Sequence, residues 1–370
     1  MNFNLSDDNL ALRDAAADFL TNEIDLAPLL VPGSTADAID RESLWAKVAG
    51  LGWPALAVPE SAGGLGMSLL DLVMVVGEIG RTVAPVALLG TLAGTWAITA
   101  AGSDEQRDRL LGPVAAGQCR LALAAADATG FHGAIPSVRA TPSADGYILE
   151  GESHFVVDAP EADRIVCIAV LDGERRAFVV DADAAGLAVE QVDWRDITRK
   201  VAIVRFSATP AERLEGGWDA AWPDVRDRLY LYLAAESAAG SHAVLDEAVE
   251  YAKQRRAFGK PIGQFQAIKH QLAEIAGQVE LADVGVQYAA WALDNRDPRA
   301  SLAAAMAQAY ASDTYRNATH RNIQVFGAIG FTWEMKNHLF YKRARCNAAL
   351  LGESAHQHEE VVAMLEAEAA

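Results

Sequence analysis

The spacing of apolar residues constrains this chain most, because it is helical up to about residue 118 and again after Trp222. In the first part, Ser68 can cap a long apolar helix that follows a glycine-rich loop. Between Cys119 and Val204 the apolar runs are short, strand-like and separated by turn signals such as Asp172-Gly173. The pattern predicts helices, then a β domain, then helices.

The C-terminal part holds four long stretches with helical spacing, separated by glycine and proline. They are Val225–Ala257, Gln266–Asn295, Pro298–Gly327 and Lys336–Leu365. Long antiparallel helices with short connections predict a bundle. We therefore predict an α+β multi-layer fold. Its parts are an N-terminal helical domain (1–118), a central antiparallel β domain (119–215) and a C-terminal four-helix bundle (220–370).

Composition narrows the classes of function. The chain has 370 residues and a formal net charge of −19, which argues against nucleic acid or an anionic membrane as a partner. No apolar run has the length that a bilayer requires, and the acidic N-terminal residues do not resemble a signal peptide. The three cysteines are too scattered for a disulfide framework or a zinc site. We expect a cytoplasmic protein with reduced thiols and no metal site.

Three segments carry a resemblance to a known family. They are PESAGGLGMSLLDLVMVVGEIGR (Pro59–Arg81), YAKQRRAFGKPIGQFQAIKHQLAEI (Tyr251–Ile275) and QVFGAIGFTWEMKNHLFYKRAR (Gln324–Arg345). In this order and spacing they resemble the signature regions of the acyl-CoA dehydrogenase family, and the likeness covers essentially the whole chain. The resemblance implies FAD as cofactor and α,β-desaturation of an acyl-CoA thioester. In that reaction a carboxylate removes the α-proton while the β-hydride leaves for the flavin.

The resemblance also implies a set of FAD-binding residues. Arg255 matches an arginine that, in the family, reaches across a subunit interface to the FAD of a neighbour, and a guanidinium suits a phosphate. Gln324, Gly327 and Gly330 match a glycine-rich loop where the backbone closely approaches the ADP moiety, and Ala328 replaces the second glycine of that loop. The implied cofactor-binding residues are Arg255, Phe258, Gln266, Gln324 and Gly327. Taken alone, Arg255 and Arg256 could equally be a solvated basic pair at a helix end.

Other family positions have changed. Where the family holds the flavin ring with a Thr-Glu-Pro segment, this chain has the mostly apolar run Leu123–Gly130. A second segment, Trp-Ile-Thr in the family, reads Phe155-Val156-Val157. Valine keeps the shape of threonine but deletes its hydrogen bond.

The catalytic base is missing from both of its family positions. The late position is Leu351, before Gly352, and the early one is Leu229. Leucine cannot accept a proton, and a positioned general base is worth about 10²–10⁴ in rate. Glu236 and Glu353 are nearby carboxylates and are the candidates for a relocated base. Asp227 matches a position close to the edge where coenzyme A binds, whereas the arginine expected three residues later is Tyr230.

These features together predict the base-lacking subunit of a heteromeric acyl-CoA dehydrogenase. The resemblance is to the silent chain of bacterial α2β2 heterotetramers that act on steroid side-chain thioesters. Its expected partners are a homologous catalytic subunit, an acyl-CoA substrate and, as a candidate electron acceptor, an electron-transfer flavoprotein. The alternatives are a self-sufficient dehydrogenase with a relocated base, a flavin-free assembly subunit, and a flavin oxidase or monooxygenase on the same scaffold.

Overall fold

The computed structural model describes residues 5–130, 136–144 and 146–369. Its N-terminal helices are α1 (Asp7–Glu23), α2 (Arg41–Gly50), α3 (Leu69–Thr82), α4 (Leu88–Ala101) and α5 (Asp104–Ala115). The strands that follow are β1 (Leu121–Ala124), β2 (Arg139–Ser143), β3 (Gly146–Val157), β4 (Arg164–Leu171), β5 (Glu174–Asp181), β6 (Leu187–Gln191) and β7 (Val201–Arg213). The C-terminal elements are α6 (Trp218–Gln254), the hairpin β8 (Arg256–Ala257) and β9 (Lys260–Pro261), α7 (Gln266–Asp294), α8 (Ala300–Phe326), α9 (Asn337–Leu350) and α10 (Ser354–Ala369).

Two N-terminal helices show how the sequence specifies their ends and their burial. Helix α3 begins with a capping box, in which the Ser68 hydroxyl accepts from the Asp71 amide and the Asp71 carboxylate accepts from the Ser68 amide. Helix α4 is apolar on nearly every face, so it has to be covered on all sides. Gly94 lets it approach the β domain, because a Cβ there would lie 2.5 Å from the Leu121 Cβ.

The β domain is mainly antiparallel, as predicted. Strand β4 pairs with β5, and β3 pairs with β2 and β7, all in antiparallel register. The pairings β4–β2, β2–β3, β3–β7, β7–β5 and β5–β4 form a closed ring of strands. The difference from the prediction is that β1 and β2 run parallel to β4. Neither is joined to β4 by a tight hairpin, and longer connections permit parallel pairing.

The predicted C-terminal bundle is confirmed, with one correction. The stretch Lys336–Leu365 is not a single helix, because α9 ends at Leu350 and α10 begins at Ser354. Gly352 has φ +92°, a left-handed conformation that ends helices and favours glycine. The Gln357 amide donates to the Leu351 and Gly352 carbonyl oxygens, at 3.0 and 3.1 Å, and so holds the break. None of the described helices has the length and apolarity needed to cross a bilayer.

A buried ion cluster joins the β domain to the bundle. It consists of Asp196 and Arg199 from the loop before β7, Glu236 from α6, and Arg343 from α9, all at most 5% exposed. Arg343 pairs with both carboxylates, at 2.6 Å from Asp196, and Arg199 pairs with Glu236. Burial alone would raise the pKa of Asp196, but Arg343 and Arg199 hold that pKa below its usual range. Two negative and two positive charges therefore balance inside the protein.

We predict that Arg343→Met lowers the free energy of unfolding by about 3–5 kcal/mol, because it leaves two buried carboxylates short of a partner. Arg345→Met, an exposed position on the same helix, is the matched control and should change it by less than about 0.5 kcal/mol. Urea unfolding at pH 7 measures both. Equal losses in the two variants would contradict a stabilising role for the cluster.

Candidate functional site

Leu229 and Leu351, the two positions where the family resemblance places a base, line the same small cavity. The cavity has a volume of about 40 Å³, close to the space of a single water molecule. Its other lining residues are Leu89, Gly90, Ala93, Leu123, Phe155, Val157, Leu233 and Leu350. All of the lining side chains are apolar. The cavity lies between α4, β1, β3, α6 and α9, and it offers no group that accepts a proton.

The flavin-facing segment of the family is also apolar here. Phe155 lies at an irregularity of the β3–β7 register, with φ +54°, which is strained for a phenylalanine. Its ring centroid is 6.2 Å from that of Trp194. Val157 lines the small cavity and has no hydroxyl to offer a flavin nitrogen. The run Leu123–Gly130 lies beside this segment through a bridge between Ala126 and His154.

Asp158 is a buried carboxylate that directly follows the cavity-lining residue Val157 and does not itself line the cavity. It accepts from the Gly90 amide at 3.0 Å, while Arg41 lies 3.6 Å away and the Asp158 Oδ1 atom has no hydrogen-bond partner. Burial raises the pKa of Asp158 to about 6 against the attraction of Arg41, and Glu161 adds to the rise. A Cβ at Gly90 would lie 2.8 Å from the Val157 carbonyl oxygen, so glycine is required for α4 to pack there.

The candidate acidic residues lie outside the cavity lining. Glu236 is fully buried and bound by Arg199 and Arg343 of the ion cluster. Glu353 is exposed and lies within the break between α9 and α10.

Asp227, the candidate substrate-binding residue, is engaged within its own chain. It is buried and accepts from the Arg226 guanidinium at 2.8 Å and from the Ser301 hydroxyl. Burial raises the pKa of Asp227, although Arg226 opposes the rise. Tyr230, on the next turn of α6, is also buried and donates to Glu360 at 2.8 Å.

The candidate FAD-binding residues are grouped at one end of the bundle. The rings of Tyr251 and Phe326 stack with centroids 4.1 Å apart, which joins the end of α6 to the end of α8. Arg255 lies one turn beyond Tyr251, and Gln324 lies two residues before Phe326. The structure therefore brings together two segments that lie far apart in sequence.

These residues face outward. Arg255, Gln266, Gln324 and Gly327 are exposed, and Phe258 is 95% exposed at the tip of the β8–β9 hairpin. Arg255 forms no ion pair with any described residue. Gly327 has φ +70° and ψ −146°, and a Cβ there would have no atom within 4 Å. Such an open glycine backbone, at the same end of the bundle as a guanidinium without an ion pair among the described residues, fits a phosphate-bearing cofactor that approaches from outside the chain.

Gly330 has a different role from the one that the glycine-rich loop first indicates. A Cβ at Gly330 would lie 2.7 Å from the Phe326 Cβ, so this glycine is required by packing within its own chain. Ala328, which replaces a family glycine, is exposed. Its methyl group is therefore compatible with the chain's own packing.

Sequence reasoning missed the ion cluster and Trp194. Arg343 belongs to the run Lys342-Arg343-Ala344-Arg345, which looks like an ordinary basic surface. Arg343 lies three residues before Cys346, whose sulfur accepts a hydrogen bond from the Trp194 indole at 3.1 Å. The position of Arg343 becomes informative only when α9 is packed against the loop before β7. The only sequence signal available was the charge-rich segment Asp193–Lys200 between apolar strands.

Comparison with family models agrees with the resemblance. Residues 6–118 match the model of the acyl-CoA dehydrogenase N-terminal domain, and residues 228–365 match that of the C-terminal domain. The acyl-CoA dehydrogenase IpdE2 of Mycobacterium tuberculosis is 32% identical over 90% of this chain and 89% of IpdE2. Acyl-CoA dehydrogenase FadE34 of the same organism is 34% identical over 88% of this chain, which spans only 42% of FadE34.

Solved structures with the same fold include chains from two-component proteins. The structure described as the Tcur3481-Tcur3483 steroid ACAD superposes with a TM-score of 0.88 and 30% identity, covering 98% of this chain and 99% of that one. The ChsE4-ChsE5 complex of Mycobacterium tuberculosis superposes with a TM-score of 0.86 and 25% identity, covering 99% of both chains.

We predict that Asp158→Asn removes a pH dependence of stability. The folded-state pKa of Asp158, about 6, lies above the unfolded value, so proton binding by this carboxyl stabilises the folded state at low pH. This stabilisation is lost as pH rises through the folded-state pKa. The loss is about 3 kcal/mol between roughly pH 4 and pH 6. Asparagine keeps the shape and tolerates the left-handed backbone at this position, φ +60°.

The free energy of urea unfolding is measured between about pH 4 and pH 7 for the wild type and for Asp158→Asn. As pH rises, the wild type should lose about 3 kcal/mol of unfolding free energy relative to the variant. Asp172→Asn is the matched control, because Asp172 is also left-handed, at φ +52°, but exposed. Parallel pH profiles for wild type and Asp158→Asn would show that this carboxyl carries no such coupling.

Proposed function

The chain belongs to the acyl-CoA dehydrogenase family, and we propose that it is the base-lacking subunit of a heteromeric, FAD-dependent member. The observation that carries this proposal is the meeting of Leu229 and Leu351 in one small apolar cavity. Both family positions for the base are filled by side chains that cannot take a proton, and about 40 Å³ leaves no room for an acyl thioester. The chain's own reaction site is therefore silent.

The outward-facing residues support a role at a neighbour's site. FAD is the cofactor that membership of this family implies, and when bound it supplies the hydride acceptor. Arg255 has a free guanidinium, Gln324 lies at the same end of the bundle, and Phe258 is almost wholly exposed. An exposed aromatic ring at a hairpin tip gains most when a partner covers it. These residues would hold the phosphate and ADP end of a cofactor whose flavin ring lies in the partner.

A second surface supports association with another chain. Helices α7, α8 and α10 expose large apolar side chains, and three of them, Leu281, Met306 and Tyr310, line a groove of about 430 Å³. The others are Val284, Val362 and Leu365, which are exposed on the same helices. Exposed apolar patches of this kind mark subunit interfaces in soluble proteins. The resemblance to chains of the steroid ACAD and the ChsE4-ChsE5 complex favours a homologous partner that carries the base.

The proposal extends to a division of labour. The partner supplies the carboxylate and the flavin-ring contacts for desaturation of an acyl-CoA thioester, and this chain binds the far end of the cofactor. A steroid side-chain thioester is the substrate that the two structural neighbours favour. An electron-transfer flavoprotein is the candidate electron acceptor, and the cytoplasm is the proposed location.

Reconstitution tests the proposal. The full chain purified alone should contain less than about a tenth of an equivalent of FAD and should not oxidise acyl-CoA. Co-purified with a homologous chain that carries glutamate at a base position, it should form a yellow, active complex. A flavin-loaded, active assembly of this chain alone would refute the proposal. In that case Glu236→Gln and Glu353→Gln would test a relocated base.

Arg255→Ala in the complex is the sharper test. Loss of a charge-assisted phosphate contact should weaken FAD retention about tenfold or more. Arg256→Ala is the matched control on the adjacent residue, whose guanidinium donates to the Gly259 carbonyl oxygen at 3.0 Å within its own hairpin. FAD content is read from flavin absorbance after gel filtration. Retention of FAD in both variants, in an intact complex, would remove Arg255 from the cofactor site.

A further inference from the structure

A cavity of about 320 Å³ lies where α1 and α3 pack against α6 and α7. Small residues leave this space open, because α6 contributes Ala235, Ala238 and Ala239 to the wall and α3 contributes Gly77. Its volume lies at the lower end of the range of small-molecule sites. We call it the Glu78 cavity, and it shares no lining residue with the small cavity of the two base positions.

Glu78 is a buried carboxylate in the wall of this cavity. The residue is 9% exposed, and its side chain forms no hydrogen bond or ion pair with a described residue. Burial raises the pKa of Glu78, and the more distant Arg81 and Arg13 oppose the rise without cancelling it. A buried carboxylate without a partner is unfavourable, so a ligand that supplies the missing donor gains binding free energy there.

Two arginines at the rim of the Glu78 cavity are engaged by other carboxylates. Arg13 pairs with Asp14 at 2.8 Å, and Arg81 pairs with Asp246 at 2.8 Å. Both aspartates are exposed, so these pairs lie toward the solvent and away from the buried carboxylate. The positive charge of each arginine is therefore balanced locally, and neither guanidinium binds Glu78.

The α7 side of the cavity is also balanced. The His242 Nε2 atom lies 2.5 Å from a carboxylate oxygen of Asp283, and this contact raises the pKa of His242. The raised pKa favours an imidazolium beside the aspartate, which makes a neutral pair. The Gln287 side-chain amide lines the same wall and forms no hydrogen bond with a described residue. Glu78 therefore leaves one negative charge uncompensated in a cavity with apolar walls.

We propose that the Glu78 cavity binds a compact aliphatic ammonium ion. The ammonium donates to Glu78 in a charge-assisted hydrogen bond, with the Gln287 oxygen as a second acceptor in the same wall. The hydrocarbon body packs against the alanines of α6 and against Val73 and Val286.

Two observations favour an organic cation over a metal ion. The described residues include no group of three or more histidine, cysteine, aspartate or glutamate side chains that could hold a metal. The apolar walls also suit a hydrocarbon body, and the net charge of −19 attracts cations to the chain. The proposal does not depend on the proposed function, because the cavity contains neither a base position nor a candidate FAD-binding residue.

Cyclohexylammonium and cyclohexanol test the proposal on the full chain, because they share a ring and differ in charge. Isothermal titration at neutral pH should show saturable binding of the ammonium, with a Kd at least about tenfold below that of the alcohol. Glu78→Gln should raise the Kd of the ammonium about tenfold and change that of the alcohol less than about twofold. Glu105→Gln, at an exposed position in α5, is the matched control and should change neither Kd.

Two further measurements separate binding in the cavity from a structural role of the carboxylate. Ala239→Leu keeps every charge but fills part of the cavity, so it should raise the Kd of both probes about fivefold or more. Glu78→Gln should need at least as much urea to unfold as the wild type, because it removes an uncompensated buried charge. No saturable binding of the ammonium, equal Kd values in wild type and Glu78→Gln, or a clear loss of stability in Glu78→Gln would overturn the proposal.

Discussion

The balanced ion cluster of Asp196, Arg199, Glu236 and Arg343 is the constraint on which the rest of the structure depends. It places two guanidinium groups and two carboxylates at a point where a β-domain loop, α6 and α9 meet. Charges removed from water need partners at close range, so these three elements cannot shift independently without leaving a charge unpaired. The position of α9 then determines what lies on each of its two sides.

On its inner side, α9 ends at the small apolar cavity. Leu350 and Leu351 meet Leu229 and Leu233 of α6 there, and Val157 covers them from β3. Glu236 lies two turns along α6 from Leu229, but its carboxylate is committed to the ion cluster. An acidic residue that is buried and doubly paired stabilises the packing and is not free to act as a base in this cavity. The ion pairs of Glu236 therefore strengthen the contact between α6, α9 and the loop before β7.

On its outer side, α9 presents His338, Lys342 and Arg345 to a cavity more than ten times larger. The two cavities differ in chemistry, because the inner one is lined by apolar side chains, whereas the outer one is lined by cations that form no ion pair with a described residue and by the His338 imidazole, which has no hydrogen-bond partner among the described residues. The candidate FAD-binding residues lie elsewhere, at the joined ends of α6 and α8. The chain thus separates three surfaces that differ in polarity.

The sequence by itself determined the α–β–α order, the bundle and the absence of a carboxylate at Leu229 and Leu351, because apolar spacing and residue identity are local properties. It did not predict the helix break at Gly352, since a single glycine ends a helix only in a suitable backbone conformation. Only the tertiary structure decided that the two leucines share one small cavity, that Glu236 is held by two arginines, and that Arg255 is exposed. Each of these depends on which distant segments pack together, and burial and ion pairing arise from that packing.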